Sequence, residues 1–131
     1  MIFIVDDSKM LRERLVRMLS EIDGIEVIGE ANNAAEAFRS IQILKPRFVI
    51  LDIQLPDGKG IEVLKALKRE SQPPVVMVLT NHAYDQYREK CMKLGADYFL
   101  DKAKDFETLT EILKDLIEQD GREAVSGKTK S

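Results

Sequence analysis

The sequence predicts an α/β fold, a parallel sheet with helices wound on both faces, and three observations lead to it. Three short runs are apolar without alternation: Ile2-Phe3-Ile4-Val5, Phe48-Val49-Ile50-Leu51 and Val75-Val76-Met77-Val78-Leu79. They are too short and too β-branched for helices, and an unbroken apolar run suits a strand buried on both faces. Segments with apolar residues at helical spacing separate them, and such alternation predicts parallel strands joined by right-handed crossovers. Each run also ends in a polar group, Asp6-Asp7, Asp52 or Thr80. In open α/β sheets the carboxyl ends of the strands carry the chemistry.

The elements follow in order. Ile2 to Val5 is strand one. Ser8 can cap the helix that carries Leu11, Leu15, Met18, Leu19 and Ile22, with Arg12, Glu13, Arg14 and Arg17 on the other face, and Asp23-Gly24 closes it. Ile25 to Glu30 alternates, as a strand exposed on one side does, and so reads as an edge. Asn32-Asn33 opens a helix with Ala34, Ala37, Phe38, Ile41 and Leu44 inward, stopped by Lys45-Pro46. Strand three runs into Asp52 and the turn Leu55-Pro56-Asp57-Gly58, and the next helix turns Ile61, Leu64 and Leu67 inward. Pro73-Pro74 breaks that helix before strand four. Tyr84, Tyr87, Cys91 and Leu94 form the stripe of the fourth helix, which Gly95 ends. Tyr98-Phe99-Leu100 is strand five, and Phe106, Leu109, Ile112, Leu113, Leu116 and Ile117 mark the last helix. The edge character of strand two gives the order 2-1-3-4-5, a flavodoxin-like doubly wound sheet of five strands with five helices, whose switch point lies between strands one and three.

At 131 residues the chain predicts one domain, residues 1–119, followed by a polar tail, 120–131, without period and expected to be disordered. A net charge of −3 with no basic run argues against direct nucleic-acid binding. The one cysteine, Cys91, excludes a disulfide framework or a cysteine zinc cluster and reads as packing. The apolar N-terminal run is too short for a signal peptide or membrane span, so no membrane partner is expected and the expected address is the cytoplasm.

Four strand ends converge on one edge of this sheet and bring Asp6, Asp7, Asp52, Thr80 and Lys102 together. Clustered carboxylates repel one another unless a cation neutralises them, and carboxylate oxygens suit Mg²⁺. A lysine and a hydroxyl beside them complete a site for phosphate oxygens. The chemistry implied is phosphoryl transfer with Asp52 as nucleophile, giving an aspartyl phosphate. Taken singly each residue has a plainer reading: Asp7 and Thr80 as helix caps, Asp52 as a turn residue, Lys102 as a surface lysine. It is their joint placement that favours the site.

In this order Val5-Asp6-Asp7-Ser8, Leu51-Asp52-Ile53-Gln54-Leu55-Pro56-Asp57-Gly58, Val78-Leu79-Thr80 and Gly95-Ala96-Asp97-Tyr98-Phe99-Leu100-Asp101-Lys102 resemble the landmarks of the response-regulator receiver domain of two-component signalling, in a chemotaxis-regulator-like form. The resemblance covers residues 1 to about 119. It implies that Asp52 is the phosphoacceptor and that Asp7 ligates Mg²⁺ directly, with Asp6 acting through water and the Gln54 carbonyl as a further ligand. It implies that Thr80 is the switch hydroxyl, that Lys102 pairs with the phosphoryl group, and that Phe99 is the switch aromatic. A sensor histidine kinase or phosphotransfer protein would be the donor, and the face of helix four, strand five and helix five would bind an output partner, with a homodimer as one outcome of phosphorylation. Such a domain is no enzyme in the ordinary sense, although it helps catalyse its own phosphorylation and dephosphorylation.

Two positions depart from the family pattern. Asn81 stands where a very small residue is usual, and Ala103 where proline, often cis, is usual. A cis bond before alanine costs about 3–4 kcal/mol, so a trans bond or an altered loop is expected. Gln54, Asn81 and His82 are candidate modulators of the site, His82 reading chiefly as a loop residue. Two other functions compete: a Mg²⁺-dependent phosphatase of the aspartyl-nucleophile class, which needs a second acid where Gln54 stands, and a receiver-like module that binds partners without phosphorylation.

Overall fold

A computed structural model describes residues 1–81 and 83–130, with residues 121–130 described by their backbone alone. The order of elements is β1 (Ile2–Val5), α1 (Lys9–Ser20), β2 (Val27–Ala31), α2 (Ala34–Leu44), β3 (Phe48–Leu51), α3 (Gly60–Leu67), β4 (Val75–Thr80), α4 (Asp85–Lys93), β5 (Tyr98–Asp101) and α5 (Phe106–Lys130). All neighbouring strands pair parallel, in the order β2-β1-β3-β4-β5.

The apolar runs explain the two cores. Successive side chains of a strand point to opposite faces. Phe3, Val5, Val49, Leu51, Val76 and Val78 therefore pack on one face against Ala37, Ile41, Leu64 and Cys91 of α2, α3 and α4. Ile2, Ile4, Phe48, Ile50, Met77 and Leu79 pack on the other against Leu15, Leu19, Leu109 and Leu113 of α1 and α5. Each such buried side chain contributes about 1.5–3 kcal/mol, which is why these strands admit no polar residue before their last position.

The predicted caps form. Ser8 accepts from the Leu11 amide and Asn33 from that of Glu36. Gly95, at φ 102°, takes the left-handed turn after α4. Other details differ from the sequence reading. β2 starts at Val27 rather than Ile25 and runs to Ala31. Leu44, the last residue of α2, is 42% exposed, although its Cδ1 still lies close to Gly29 of β2. Tyr84 is exposed because it precedes α4 as its cap instead of lying on the buried stripe. Val63 of α3 is fully buried, a position the sequence reading left out of the inward face. α5 continues to Lys130 through the segment read as a polar tail. Arg122, Glu123 and Ala124 are strong helix formers that extend it. Near the start of that segment, Arg47 and Asp120 form a two-bond ion pair at 3.2 and 2.9 Å that ties α5 to the entry of β3.

Candidate functional site

The strand ends of the sheet are extended by one bond each, and this sets the site. The Asp6 amide donates to the Ala31 carbonyl at 3.0 Å, the Asp52 amide to Val5 at 2.9 Å and the Lys102 amide to Thr80 at 3.0 Å. Asp6, Asp52 and Lys102 thus stand immediately beyond β1, β3 and β5, on the same edge. The carboxylates of Asp6, Asp7 and Asp52 each place an oxygen within 4.8 Å of the others. Asp6 and Asp52 are buried, at 2% and 4% exposure, whereas Asp7 faces solvent.

Lys102 joins the two buried acids. Its Nζ lies 2.7 Å from Asp6 Oδ2 and 2.7 Å from Asp52 Oδ2, with the side chain only 10% exposed. Burial alone would lower the lysine pKa, but hydrogen bonds and charges from Asp52 and Asp6 outweigh it and raise it. For Asp6, burial pushes the carboxyl above its ordinary range. The Lys102 hydrogen bond, the Ser8 amide and the Lys102 charge pull it down without cancelling that rise, to which the Asp52 charge adds. The remaining oxygens are held by backbone: Asp6 Oδ1 accepts from the Ser8 amide at 2.8 Å, and Asp52 Oδ1 from the Gln54 amide at 2.9 Å.

One ammonium cannot offset three carboxylates, so the cluster retains negative charge that a divalent cation would neutralise. The donors are hard oxygens, one of them solvent-facing, as a partly hydrated Mg²⁺ requires. The residues present therefore fit that ion.

Other predicted residues fall around this centre. Thr80 is fully buried at the end of β4, beside Asp101 of β5 in register. Asn81 and Gln54 are exposed at its rim. His82 lies outside the described residues. Phe99 is buried at 4% exposure, and Arg88 of α4 covers it, with its guanidinium carbon 4.9 Å from the ring centroid. Cys91 is a buried free thiol, as the packing reading expects. No cis peptide occurs among the described residues, so Ala103 follows a trans bond. Its N–H, which a proline would lack, donates to Asp101 Oδ1 at 2.7 Å. Asp101 and Asp105 then exchange two further bonds, each 2.8 Å, that close the loop after β5.

Sequence reasoning missed three supports. Arg12, read as a solvent-facing helix residue, donates to the Asp6 carbonyl at 2.6 Å and is braced by Glu30 at 3.1 Å. Asp57, read as part of a turn, accepts from the Ala34 amide at 3.0 Å and so pins the loop after Asp52 to the start of α2. Gly60 packs so closely on the Ile53 backbone that a Cβ would overlap its carbonyl. Asp57 had a local signal in the Pro-Asp-Gly turn; Gly60 and Arg12 had none, since their partners are set by the fold.

A doubly wound sheet with an acid cluster and a lysine at its switch point defines a class of phosphoryl-handling signalling modules. Residues 2–114 match the family model described as the response regulator receiver domain, and the chain belongs to that family. A response regulatory protein of Vibrio cholerae is 42% identical over 116 residues, covering 88% of this chain and 48% of that protein. The sensory transduction protein LytT of Bacillus anthracis is 37% identical over 114 residues, covering 86% of this chain and 45% of that protein. The chain thus spans about half the length of the curated relatives it matches. Among solved structures, a DNA-binding response regulator of the LuxR family from Staphylococcus aureus superposes with a TM-score of 0.81 at 27% identity, covering 88% of this chain and 97% of that one. The beryllofluoride-activated NtrC4 receiver domain dimer gives 0.78 at 30% identity, covering 90% and 96%.

Proposed function

We propose that residues 1–119 act as a phosphoacceptor switch in which Asp52 takes a phosphoryl group from a phosphohistidine of a sensor kinase or phosphotransfer protein. The observation that carries this reading is the Lys102 ammonium set 2.7 Å from both Asp6 and Asp52. A cation held by two buried acids, one of them a strand-end nucleophile, is placed to meet phosphoryl oxygens.

In the transfer, a carboxylate oxygen of Asp52 forms a P–O bond as the P–N bond of the donor breaks and its electron pair returns to the imidazole. Asp6, Asp7, Asp52 and the Gln54 carbonyl would hold Mg²⁺, which supplies positive charge to phosphoryl oxygens. Lys102 offsets charge on the same group, and Thr80 donates its hydroxyl to it. Phosphorylation favours the state in which these contacts are made, and Phe99 and the α4–β5–α5 face follow as a population shift. That face binds the output partner. The solution dimer of the activated NtrC4 receiver domain supports a homodimer as one result. The module's only catalysis is its own phosphorylation and dephosphorylation. We place it in the cytoplasm with its kinase; no helix among the described residues is long and apolar enough to cross a membrane.

The test is incubation with Mg²⁺ and a small acyl phosphate, read by mass. A gain of one phosphoryl group that disappears in Asp52→Ala supports the reading. No gain in wild type, or the same gain in Asp52→Ala, overturns it; turnover of the acyl phosphate without a trapped adduct would favour a phosphatase.

A further inference from the structure

Asp6 has every polar atom engaged. Its amide binds the Ala31 carbonyl, its Oδ1 the Ser8 amide and its Oδ2 the Lys102 ammonium. Its carbonyl accepts from Arg12 Nη1 at 2.6 Å. That carbonyl belongs to the peptide joining Asp6 to Asp7, so whatever holds it also orients the plane from which Asp7 departs.

We propose that Arg12 is a positioning residue of the metal site, and that with Glu30 it forms a clamp that fixes the Asp6–Asp7 peptide. The inference rests on reading Asp6 and Asp7 as ligands of a divalent cation. Arg12 Nε is taken by Glu30 Oε1 at 3.1 Å, and a planar guanidinium held at one edge has its other edge aimed. The Arg12 side chain is 14% exposed, although it lies on the helix face with the charged pattern of a solvated surface. One planar group thus locks α1, the end of β1 and β2 together at the corner that carries both acids.

Two roles for this cation have opposite signs. As a mere positive charge beside carboxylates, Arg12 would oppose cation binding, and its removal would tighten Mg²⁺. As a clamp it favours binding, and its removal weakens Mg²⁺. Ion size gives a second discriminator. Mg²⁺ demands near-octahedral geometry, whereas Ca²⁺ tolerates irregular coordination, so a loosened corner costs Mg²⁺ more than Ca²⁺.

The experiment titrates the full chain with MgCl₂ and, separately, CaCl₂ by calorimetry, for wild type, Arg12→Met, Arg12→Lys and Glu30→Gln, with the thermal midpoint of each metal-free protein taken alongside. Arg12→Met should weaken Mg²⁺ by about tenfold, the lower end of what the loss of a ligand-orienting partner costs, and Ca²⁺ by less. Arg12→Lys, which keeps the charge but not the fork, should also weaken Mg²⁺. Glu30→Gln, at an exposed position, should show a smaller weakening in the same direction and serves alone if Arg12→Met does not fold. Unchanged or tighter Mg²⁺ in the Arg12 variants, equal factors for the two ions, or wild-type affinity in Glu30→Gln overturns the clamp while leaving the metal site standing. A wild-type chain that does not bind Mg²⁺ overturns the metal reading itself.

Discussion

Arg88 grips Phe99 twice. Its guanidinium carbon sits 4.9 Å over the ring, and its Nη1 donates to the Phe99 carbonyl at 3.3 Å. The first contact holds the side chain down, and the second anchors α4 to the backbone of β5, the outermost strand on that side of the sheet. Arg88→Met should cost about 1 kcal/mol in urea unfolding and free the ring, seen as a shift and narrowing of a fluorophenylalanine resonance at that position. A resonance and midpoint unchanged from wild type would show the contact to be idle.

Lys102→Met leaves two buried carboxylates without their shared partner and should destabilise the metal-free chain by about 3 kcal/mol. Its pH dependence has a defined sign. The folded lysine pKa lies above the ordinary 10.5, so its contribution is complete below that value and is lost as pH rises through the folded one. The gap between wild type and variant in chemical denaturation should close on the alkaline side as the ammonium is lost, and narrow in acid too, where protonation of Asp6, whose carboxyl burial already pushes up, removes the unpartnered charge from the variant. A gap that persists undiminished into strong alkali would mean the ion pair is not its source.

Gly60→Ala places a methyl against the Ile53 carbonyl, which is backbone and cannot rotate away. The strain should cost about 1–3 kcal/mol and displace the Asp52 to Gln54 segment, read as amide shifts at those residues. Wild-type amide positions there would show that α3 does not set the loop.

Cys91 is fully buried, and burial raises its thiol pKa, while nearby Lys90 only partly opposes the rise. Burial thus both suppresses the thiolate and shields the sulfur from reagents. Alkylation by iodoacetamide at neutral pH should therefore be slow in the native chain and rapid in urea. Native reaction at the rate of a free thiol would contradict its packing between α4 and the sheet.

The sheet was legible because its signal is local. Ile2 to Val5 and Phe48 to Leu51 face both cores, so every residue in each run had to be apolar, and the strand order followed from the one strand that is not. Asp6, Asp52, Thr80 and Lys102 could be brought together because parallel topology forces strand ends to one edge. What escaped were contacts made by long side chains across the fold. Arg12 reaches back to a carbonyl and across to Glu30, and Arg88 folds over an aromatic ring. A charged residue on a helix looks solvated whether or not its head is engaged. Leu44 and Tyr84 failed for a different reason: both sit at helix ends, where spacing no longer tells which way a side chain turns.

The bond from the Lys102 amide to the Thr80 carbonyl is the last rung between β4 and β5. It makes the hydroxyl and the ammonium two prongs of one fork, not separate sensors. In the proposed switch, a pull on either prong by a phosphoryl group on Asp52 would act on the tip of both strands, and Phe99 lies three residues back from Lys102 along the same backbone. Under the proposed switch, the distance over which a signal would have to travel is therefore the length of one short strand, and the part that would move is a hydrogen-bonded ladder rather than a free side chain.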